Sequence, residues 1–175
     1  MELYKKLKHI SCVITDVDGI LTDGRVGYGC NHEEDELKFF DVKDGLGIKL
    51  LAREGISTCV LSGRSSRANR TRFKELGISS FYENVQDKTE ALHTLVNDQH
   101  VSLQQCAYLG DDLMDIKVMK QVEVGATVAD AAPEVIQAAD FRTAKQGGKG
   151  ALRELAEEIL KAQDRWNDIV QSYVA

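Results

Sequence analysis

The sequence lacks the features that mark a membrane protein or a secreted, disulfide-rich protein. No apolar run approaches the roughly 20 residues that cross a bilayer, and residues 1–8 are charged, without the apolar core of a signal peptide. The cysteines form no C-x-x-C pair; Cys12, Cys59 and Cys106 lie in apolar runs typical of central strands, and Cys30 lies outside them. We therefore expect buried thiols in a reducing compartment and a cytoplasmic location.

Positive charge and aromatic residues are also scarce. The chain carries 22 Lys and Arg against 28 Asp and Glu, a net charge of −6 at pH 7, and aromatic residues make up 6% of it. An acidic chain without a basic and aromatic surface argues against binding to nucleic acid or to anionic membranes. A small anionic substrate is still compatible, because a local cluster of Lys and Arg can outweigh the global sign.

Short apolar runs alternate with amphipathic stretches along the chain. The pattern predicts buried strands at residues 10–16, 57–62, 105–109 and 122–127, and helices at 45–54, 65–77, 88–98 and 112–120. The only proline, Pro133, indicates a helix start. This alternation is typical of an α/β, Rossmann-like fold with a parallel sheet covered by helices on both faces. At 175 residues, we expect one domain over residues 1–175.

Two segments depart from the alternation. Residues 20–43 contain three glycines and two alternating stretches, which predict a β-hairpin flap with a solvated tip at residues 31–36. Near the end, a glycine-rich stretch precedes a long helix that begins at Ala151. Residues 164–175 are weakly patterned, and we interpret them as a mobile tail or one exchanged between copies.

Two acidic clusters follow two of the predicted strands. Asp16 and Asp18 end the first strand, and Asp111, Asp112 and Asp115 follow the third. Carboxylates placed together at the end of buried strands are costly to desolvate, and a bound divalent cation would remove that cost. Because the carboxyl ends of parallel strands meet at one edge of the sheet, we expect an oxygen-only site of the kind that Mg²⁺ prefers. Phosphoryl chemistry is the first hypothesis.

Each acidic cluster has a functional and a structural interpretation. Asp16 could attack phosphorus and Asp18 could act as general acid and base, or the Asp-Gly pair could simply form a turn. Asp111 could bind the cation, with Asp112 and Asp115 supporting it, or these residues could cap a helix. One aspartate explains a cap, whereas three in this stretch exceed that need.

Two further positions fit a phosphate ligand. Ser62, Gly63 and Arg64 follow another predicted strand, where a hydroxyl and free N–H groups would cradle a phosphate; a helix N-cap is the alternative for Ser62. Lys88 begins a predicted helix, where a cation is unfavourable unless something anionic faces it. An ordinary surface lysine is the alternative there.

These four pieces, in this order, resemble the haloacid dehalogenase superfamily of phosphohydrolases. The resemblance implies that Asp16 is the nucleophile and Asp18 the general acid and base, and that Ser62 and Lys88 bind phosphate. It also implies that Mg²⁺ is bound by Asp16, Asp111 and the backbone carbonyl of Asp18.

Three segments are similar, more narrowly, to the 3-deoxy-D-manno-octulosonate 8-phosphate phosphatase family: Asp16-Val17-Asp18-Gly19-Ile20-Leu21-Thr22-Asp23-Gly24, Val42-Lys43-Asp44-Gly45-Leu46-Gly47-Ile48 and Gly147-Gly148-Lys149-Gly150-Ala151. This resemblance implies an enzyme of lipopolysaccharide precursor synthesis that lacks a cap domain and forms homotetramers. A neighbouring subunit's hairpin and tail would help to close each site. The implied contacts to the small acidic sugar phosphate are Asp18, Asp41, Val42, Lys43, Asp44, Gly45, Lys49, Gly63, Arg64, Arg72, Lys88 and Asp112.

Two other functions remain open from the sequence. A 9-phosphatase of a nine-carbon keto-sugar acid would use the same chemistry, and nothing in the chain fixes the length of the sugar. A non-catalytic assembly module would have lost part of the catalytic set, whereas Asp16, Asp18, Lys88 and Asp111 are all present.

Overall fold

The computed structural model describes residues 2–28 and 36–174. Its main sheet has six parallel strands in the order β5-β4-β1-β6-β7-β8. These strands are β1 (Cys12–Thr15), β4 (Ser57–Leu61), β5 (Phe81–Tyr82), β6 (Cys106–Leu109), β7 (Val124–Thr127) and β8 (Phe141–Arg142). A separate antiparallel pair joins β2 (Gly27–Tyr28) to β3 (Glu36–Leu37).

Eight α-helices connect the strands or follow them in the described residues. They are α1 (Glu2–Leu7), α2 (Val42–Arg53), α3 (Arg67–Leu76), α4 (Lys88–Asp98), α5 (Ile116–Met119), α6 (Pro133–Ala138), α7 (Ala151–Ala162) and α8 (Trp166–Val174). Helix α2 packs on α7, which also contacts α1 and α8, while α4 contacts α5 and α5 contacts α6. Every residue of β1, β6 and β7 is buried, as expected when helices cover both faces of a parallel sheet.

The predicted alternation is confirmed, with differences at its edges. Two strands that the sequence did not reveal, β5 and β8, have only two residues each and lie at the two borders of the sheet, where a long apolar run is not needed. The predicted helix over 112–120 is a 3₁₀ turn at Leu113–Asp115 followed by α5. Pro133 is the first residue of α6, as its position predicted.

The hairpin is smaller than the predicted flap over 20–43. Its strands contribute two residues each, and α2 already begins at Val42. Most of the predicted tip, and Cys30 with it, lies outside the described residues. Glu36 was expected at this solvated tip, but its side chain is only 14% exposed because it turns inward to form ion pairs.

The last residues also differ from expectation. Residues 166–174 form helix α8 rather than a weakly patterned tail. Ile169 is buried against the core and Trp166 packs beside it, and Arg165 donates a hydrogen bond to the backbone carbonyl of Glu54. Trp166, Ile169 and Tyr173 have the spacing of one face of a helix. This pattern is too short to stand out in a segment of only a few turns. Exchange of this segment between copies stays a prediction.

Among residues 2–28 and 36–174, no helix combines the length and the apolar character that a bilayer crossing requires. One contiguous hydrophobic core runs through the sheet and its helices. Cys12, Cys59 and Cys106 are buried free thiols in that core, as predicted.

Candidate active site

Three neighbouring strands deliver the predicted site to one edge of the sheet. Strand β1 lies between β4 and β6, and Thr15 pairs with Val60 on one side and with Leu109 on the other. The residues that follow these strands are therefore brought together: Asp16 after β1, Ser62 after β4, and Gly110 with Asp111 after β6. The sheet topology confirms that both acidic clusters share one edge.

Asp16 is held by one backbone and one side-chain donor. The N–H of Val17 donates to Oδ1 at 2.7 Å, and Lys88 Nζ donates to Oδ2 at 2.7 Å. Burial raises the pKa of Asp16 to about 6; the charge of Lys88 opposes this shift and the charge of Asp115 adds to it. The cost of keeping this carboxylate ionised is what a bound cation would offset.

Asp111 reaches the same point from β6. Asp16, Asp111 and Asp115 each offer an oxygen atom, and these three atoms lie within 4.8 Å of one another. Burial and the charge of Asp16 raise the pKa of Asp111 to about 7. Gly19 permits this approach, because a Cβ at that position would lie 2.0 Å from Asp111 Oδ2. The donor set is all carboxylate oxygen, which fits Mg²⁺.

Asp115 accepts more hydrogen bonds than Asp16 or Asp111 does in the described residues, which makes it the least available of the three as a direct metal ligand. Its Oδ1 accepts hydrogen bonds from Lys88 Nζ at 2.7 Å and from the Tyr108 hydroxyl at 2.6 Å. Its Oδ2 accepts from the backbone N–H groups of Asp111 and Asp112 at 3.0 and 3.1 Å. These contacts fit the predicted supporting role, since they orient the loop that carries Asp111 and anchor Lys88.

Lys88 is the first residue of α4, directly after the N-cap Asp87. Its side chain is 2% exposed and lies between Asp16 and Asp115, so the alternative of a surface lysine is wrong. Burial lowers the pKa of Lys88, but the charges of Asp16 and Asp115 outweigh burial and the net shift is upward. Tyr108, whose hydroxyl lies 3.3 Å from Lys88 Nζ, was not identified from the sequence. The feature that could have indicated it is a single hydroxyl in the otherwise apolar strand β6.

Ser62 follows β4 and is buried. The backbone N–H of Arg64 lies 3.3 Å from its hydroxyl oxygen. Helix α3 begins at Arg67 with Ser66 as its N-cap, so Ser62 does not cap a helix and no helix N-terminus adds to the predicted cradle there. A phosphate ligand would instead meet the Ser62 hydroxyl and the backbone after it, including the exposed Gly63.

Asp18 sits on the turn that follows Asp16. Its two carboxylate oxygens accept hydrogen bonds from Lys38 Nζ at 2.7 and 3.0 Å, and Arg64 Nε lies 3.9 Å from Oδ2. Arg64 also pairs with Glu36. The sequence did not reveal Lys38 or Glu36, although their alternation with Leu37 placed both on one face of the hairpin.

Several of the predicted sugar contacts lie on α2, at its N-cap or against it. Arg72 of α3 lies against Gly45 and donates to the Asp41 carbonyl at 3.3 Å. The carboxylate of Asp41 instead caps α2 by accepting from the N–H of Lys43, while Val42, Lys43 and Lys49 are exposed on α2.

Two other predicted contacts have structural partners in the described residues. The carboxylate of Asp44 is buried and accepts from the backbone N–H groups of Gly150 and Arg153 at 3.2 and 2.9 Å, which ties α2 to α7. Asp112 caps the 3₁₀ turn by accepting from the N–H of Leu113 at 2.7 Å, so the capping interpretation holds for this residue. Contact of either side chain with a sugar stays a prediction.

The glycine-rich stretch before α7 supports the loop after Asp16. A Cβ on Gly147 would lie 1.7 Å from the Gly19 carbonyl oxygen, and the N–H of Gly148 donates to the Ile20 carbonyl at 2.8 Å. Only glycine permits this backbone contact. The resemblance of this stretch to the family pattern therefore has a physical basis in the geometry of the loop after Asp16.

Comparisons with known proteins agree with this geometry. A family profile described as haloacid dehalogenase-like hydrolase matches residues 81–155. A 3-deoxy-D-manno-octulosonate 8-phosphate phosphatase of Haemophilus influenzae is 42% identical over 163 residues, which cover 93% of this chain and 89% of the relative.

Two solved structures are also similar. The phosphatase of the same name from Moraxella catarrhalis, in complex with magnesium ion, phosphate ion and a KDO molecule, is 40% identical with a TM-score of 0.94 over 98% of both chains. The cobalt-bound deoxy-D-mannose-octulosonate 8-phosphate phosphatase of Haemophilus influenzae is 41% identical with a TM-score of 0.91, over 97% of this chain and 99% of that one.

The parallel sheet, the carboxylate cluster at its edge and the matching profile define a haloacid dehalogenase-like hydrolase without a separate cap domain in its described residues. Within that class, the extent of the identity decides the family. The chain belongs to the 3-deoxy-D-manno-octulosonate 8-phosphate phosphatase family.

Proposed function

We propose that this protein is a Mg²⁺-dependent phosphomonoesterase that hydrolyses 3-deoxy-D-manno-octulosonate 8-phosphate to the free sugar acid and phosphate, a step in lipopolysaccharide precursor synthesis. The observation that carries the proposal is the convergence of Asp16, Lys88 and Asp111 at the end of the sheet, in a chain 42% identical to a phosphatase of that name.

In the first half of the proposed reaction, a carboxylate oxygen of Asp16 attacks phosphorus and the bond from phosphorus to the sugar oxygen breaks. Asp18 gives its proton to the departing oxygen. Lys88 and the Ser62 hydroxyl hold the phosphoryl oxygens in place. In the second half, Asp18 takes a proton from water, whose oxygen attacks phosphorus, releasing phosphate and restoring Asp16.

Asp16, Asp111 and the Asp18 backbone carbonyl would hold Mg²⁺. When bound, Mg²⁺ neutralises the charge of the carboxylates and of the transferring phosphoryl group. Activity should be lost in EDTA and restored by Mg²⁺, measured as phosphate release. Full activity in EDTA would contradict the metal assignment.

A cavity of about 540 Å³ between the hairpin and α3 supports an acidic sugar as the substrate. Its lining includes Lys38, which contacts Asp18, and Glu36, which contacts Arg64, so the cavity adjoins the proposed acid–base residue. Arg72 also lines it, and Arg72 Nε is buried without a hydrogen-bond partner among the described residues. Glu75 also lines the cavity and lies 3.2 Å from Arg72 Nη1, so the carboxylate of a sugar acid would bind this guanidinium in place of Glu75.

The remaining site assignments belong to the same proposal. Arg64 and Arg72 would bind the anionic groups of the sugar acid, with the Asp41–Gly45 segment, Lys49, Gly63 and Asp112 around them. We also propose one phosphatase domain over the whole chain and a cytoplasmic location, which the free thiols of Cys12, Cys59 and Cys106 favour.

A homotetramer is part of the proposal. Apolar side chains on and beside the hairpin are largely exposed: Tyr28 by 70%, Leu37 by 55%, Phe39 by 67% and Val42 by 77%. Clusters of exposed apolar side chains mark contact surfaces between proteins. Light scattering coupled to gel filtration should give a mass near four times the 19.4 kDa chain, and a monomer mass would remove this part.

The deciding experiment compares two substrates in the presence of Mg²⁺. We expect phosphate release from 3-deoxy-D-manno-octulosonate 8-phosphate to exceed clearly that from a nine-carbon keto-acid 9-phosphate. The reverse preference would assign the nine-carbon sugar with the same mechanism. Activity on neither substrate, in a folded protein that binds Mg²⁺, would support the assembly module instead.

A further inference from the structure

In the described part of the hairpin, the charged side chains of Glu36 and Lys38 point inward and the apolar side chains that alternate with them point outward. Lys38 has a side chain that is 0% exposed and Glu36 one that is 14% exposed, whereas Leu37 and Phe39, which alternate with them, are 55% and 67% exposed. This inverts the usual arrangement, in which charged groups face solvent. Burying an ammonium and a carboxylate is costly unless both are paired, so their partners explain the inversion.

Those partners belong to the proposed catalytic residues. Lys38 Nζ donates to both oxygens of Asp18, at 2.7 and 3.0 Å. Glu36 pairs with Arg64 and lies 3.7 Å from Lys38 Nζ, and Arg64 Nε lies 3.9 Å from Asp18. The four side chains form a closed ring with no net charge, two from the hairpin and two from the edge of the main sheet.

Within the described part of the chain, Lys38 is the residue that donates hydrogen bonds to the Asp18 carboxylate. Asp18 lies on a turn next to Gly19, whose positive φ of +84° is accessible to glycine at little cost, and no described backbone N–H donates to its carboxylate. Asp16, by contrast, is fixed by the N–H of Val17 as well as by Lys88. The direction of the Asp18 carboxylate therefore depends on the hairpin.

We propose that Lys38 is a positioning residue for proton transfer: its ammonium holds one carboxylate oxygen of Asp18, so that the other oxygen, when protonated, faces the leaving oxygen of the substrate. Glu36 assists by holding Arg64 and Lys38 in the same ring. This inference rests on the proposed function, because it gives Asp18 the role of general acid and base. It adds to that function a residue of the hairpin that acts on the chemical step.

The test is the dependence of the rate on the leaving group in Lys38→Met. A sugar or simple alkyl phosphate needs a proton on its leaving oxygen, whereas p-nitrophenyl phosphate does not. Because general acid catalysis contributes about 10²–10⁴-fold, we expect kcat/KM for the alkyl ester to fall about 100-fold and that for the aryl ester by less than about 5-fold. Asp18→Asn should show the same selective loss, and Lys38→Arg should recover part of it.

Lys120→Met is the matched control, because it makes the same replacement at an exposed lysine outside the hairpin. Its ratio of alkyl to aryl kcat/KM should equal that of the wild type. Equal losses on both esters in Lys38→Met would reduce Lys38 to a structural role, and no loss on either would also overturn the proposal. If Lys38→Met does not fold by circular dichroism, Glu36→Gln should show the same selective loss at smaller size, and an unchanged ratio there would overturn it.

Failure of the proposed function is distinguishable from failure of this inference. A wild type that hydrolyses aryl and simple alkyl phosphates but not the eight-carbon sugar phosphate would contradict the proposed substrate and leave the ratio measurable. A wild type with normal sugar phosphatase activity and an unselective Lys38→Met would contradict only the role of Lys38.

Discussion

Two lysines contact the two aspartates of the Asp16-Val17-Asp18 segment, and they come from different parts of the fold. Lys88 is the first residue of α4, and its buried side chain is fixed by Asp16, Asp115 and Tyr108. Lys38 follows a two-residue strand of the hairpin and contacts Asp18, which is 21% exposed. The proposed nucleophile, Asp16, is thus held by groups of the core, whereas the proposed acid–base residue, Asp18, depends on a peripheral element.

The largest expected effect comes from the nucleophile. Asp16→Asn should reduce turnover of every phosphate ester at least about 10⁴-fold, because a carboxamide does not form the phosphoenzyme. Circular dichroism should show a native fold, since the replacement has the same shape. Asp18→Asn is the matched variant from the other half of the comparison. It should still release p-nitrophenol in a first-turnover burst from p-nitrophenyl phosphate, because that leaving group needs no proton. Turnover of that ester by Asp16→Asn would end the nucleophile assignment.

The next prediction compares the two lysines directly. Lys88→Met leaves the carboxylates of Asp16 and Asp115 without their shared cation, and breaking a buried pair in this way costs about 3–5 kcal/mol of the free energy of unfolding. Lys38→Met should cost clearly less, because Asp18 can be hydrated and Arg64 is near. Urea unfolding without Mg²⁺ measures both, with the exposed Lys120→Met as the control for loss of a charge. Equal costs for the two lysines would contradict the contrast between core and periphery.

Backbone contact with the catalytic loop gives a third prediction. In Gly147→Ala the added methyl group would lie 1.7 Å from the Gly19 carbonyl oxygen, so the loop after Asp16 must move. We expect kcat to fall about 100-fold, in line with the sensitivity of catalysis to small displacements. Overpacking of this kind costs about 1–3 kcal/mol of stability.

Gly55→Ala is the matched control for that variant. Gly55 has a positive φ of +76°, but an added methyl group meets no atom within 4 Å. Its cost is therefore backbone strain of about 1–2 kcal/mol, with kcat unchanged. If Gly147→Ala kept wild-type kcat while losing as much stability as Gly55→Ala, the glycine contact would be structural only.

The residues that sequence reasoning found differ in kind from those that it missed. Asp16, Ser62 and Asp111 follow apolar runs, and the rule that parallel strands end at one edge brings them together without knowledge of detailed packing. Lys38 depends on the register of a hairpin whose strands have two residues each, which alternation alone does not fix. Arg153 of α7, a partner of Asp44, lies more than 100 positions away in the sequence, and no local pattern indicates a contact of that range.

The smallest expected effect concerns Asp44, where α2 meets α7 away from both lysines. Burial raises the pKa of Asp44 from its ordinary 3.8 to about 6, against the N–H donors of Arg153 and Gly150. The folded state therefore binds a proton at a higher pH than the unfolded state does. The free energy of unfolding should rise as the pH falls through about 6 toward 4, by about 2 kcal/mol from this group.

Asp44→Asn should flatten this rise, because its amide does not titrate. Urea unfolding at pH 7, 6, 5 and 4 measures the effect as the difference between wild type and variant, so that the titration of Asp16 and Asp111 cancels. Asp87→Asn should change the slope in the opposite direction, because the N–H groups of Thr89 and Glu90 lower the pKa of Asp87. The stabilisation by Asp87 is present above its unfolded pKa and is lost as the pH falls. Parallel curves for wild type and Asp44→Asn would mean that the Asp44 carboxylate is hydrated. The contact between α2 and α7 would then be more open to water than the buried contact of Lys88 with Asp16 and Asp115.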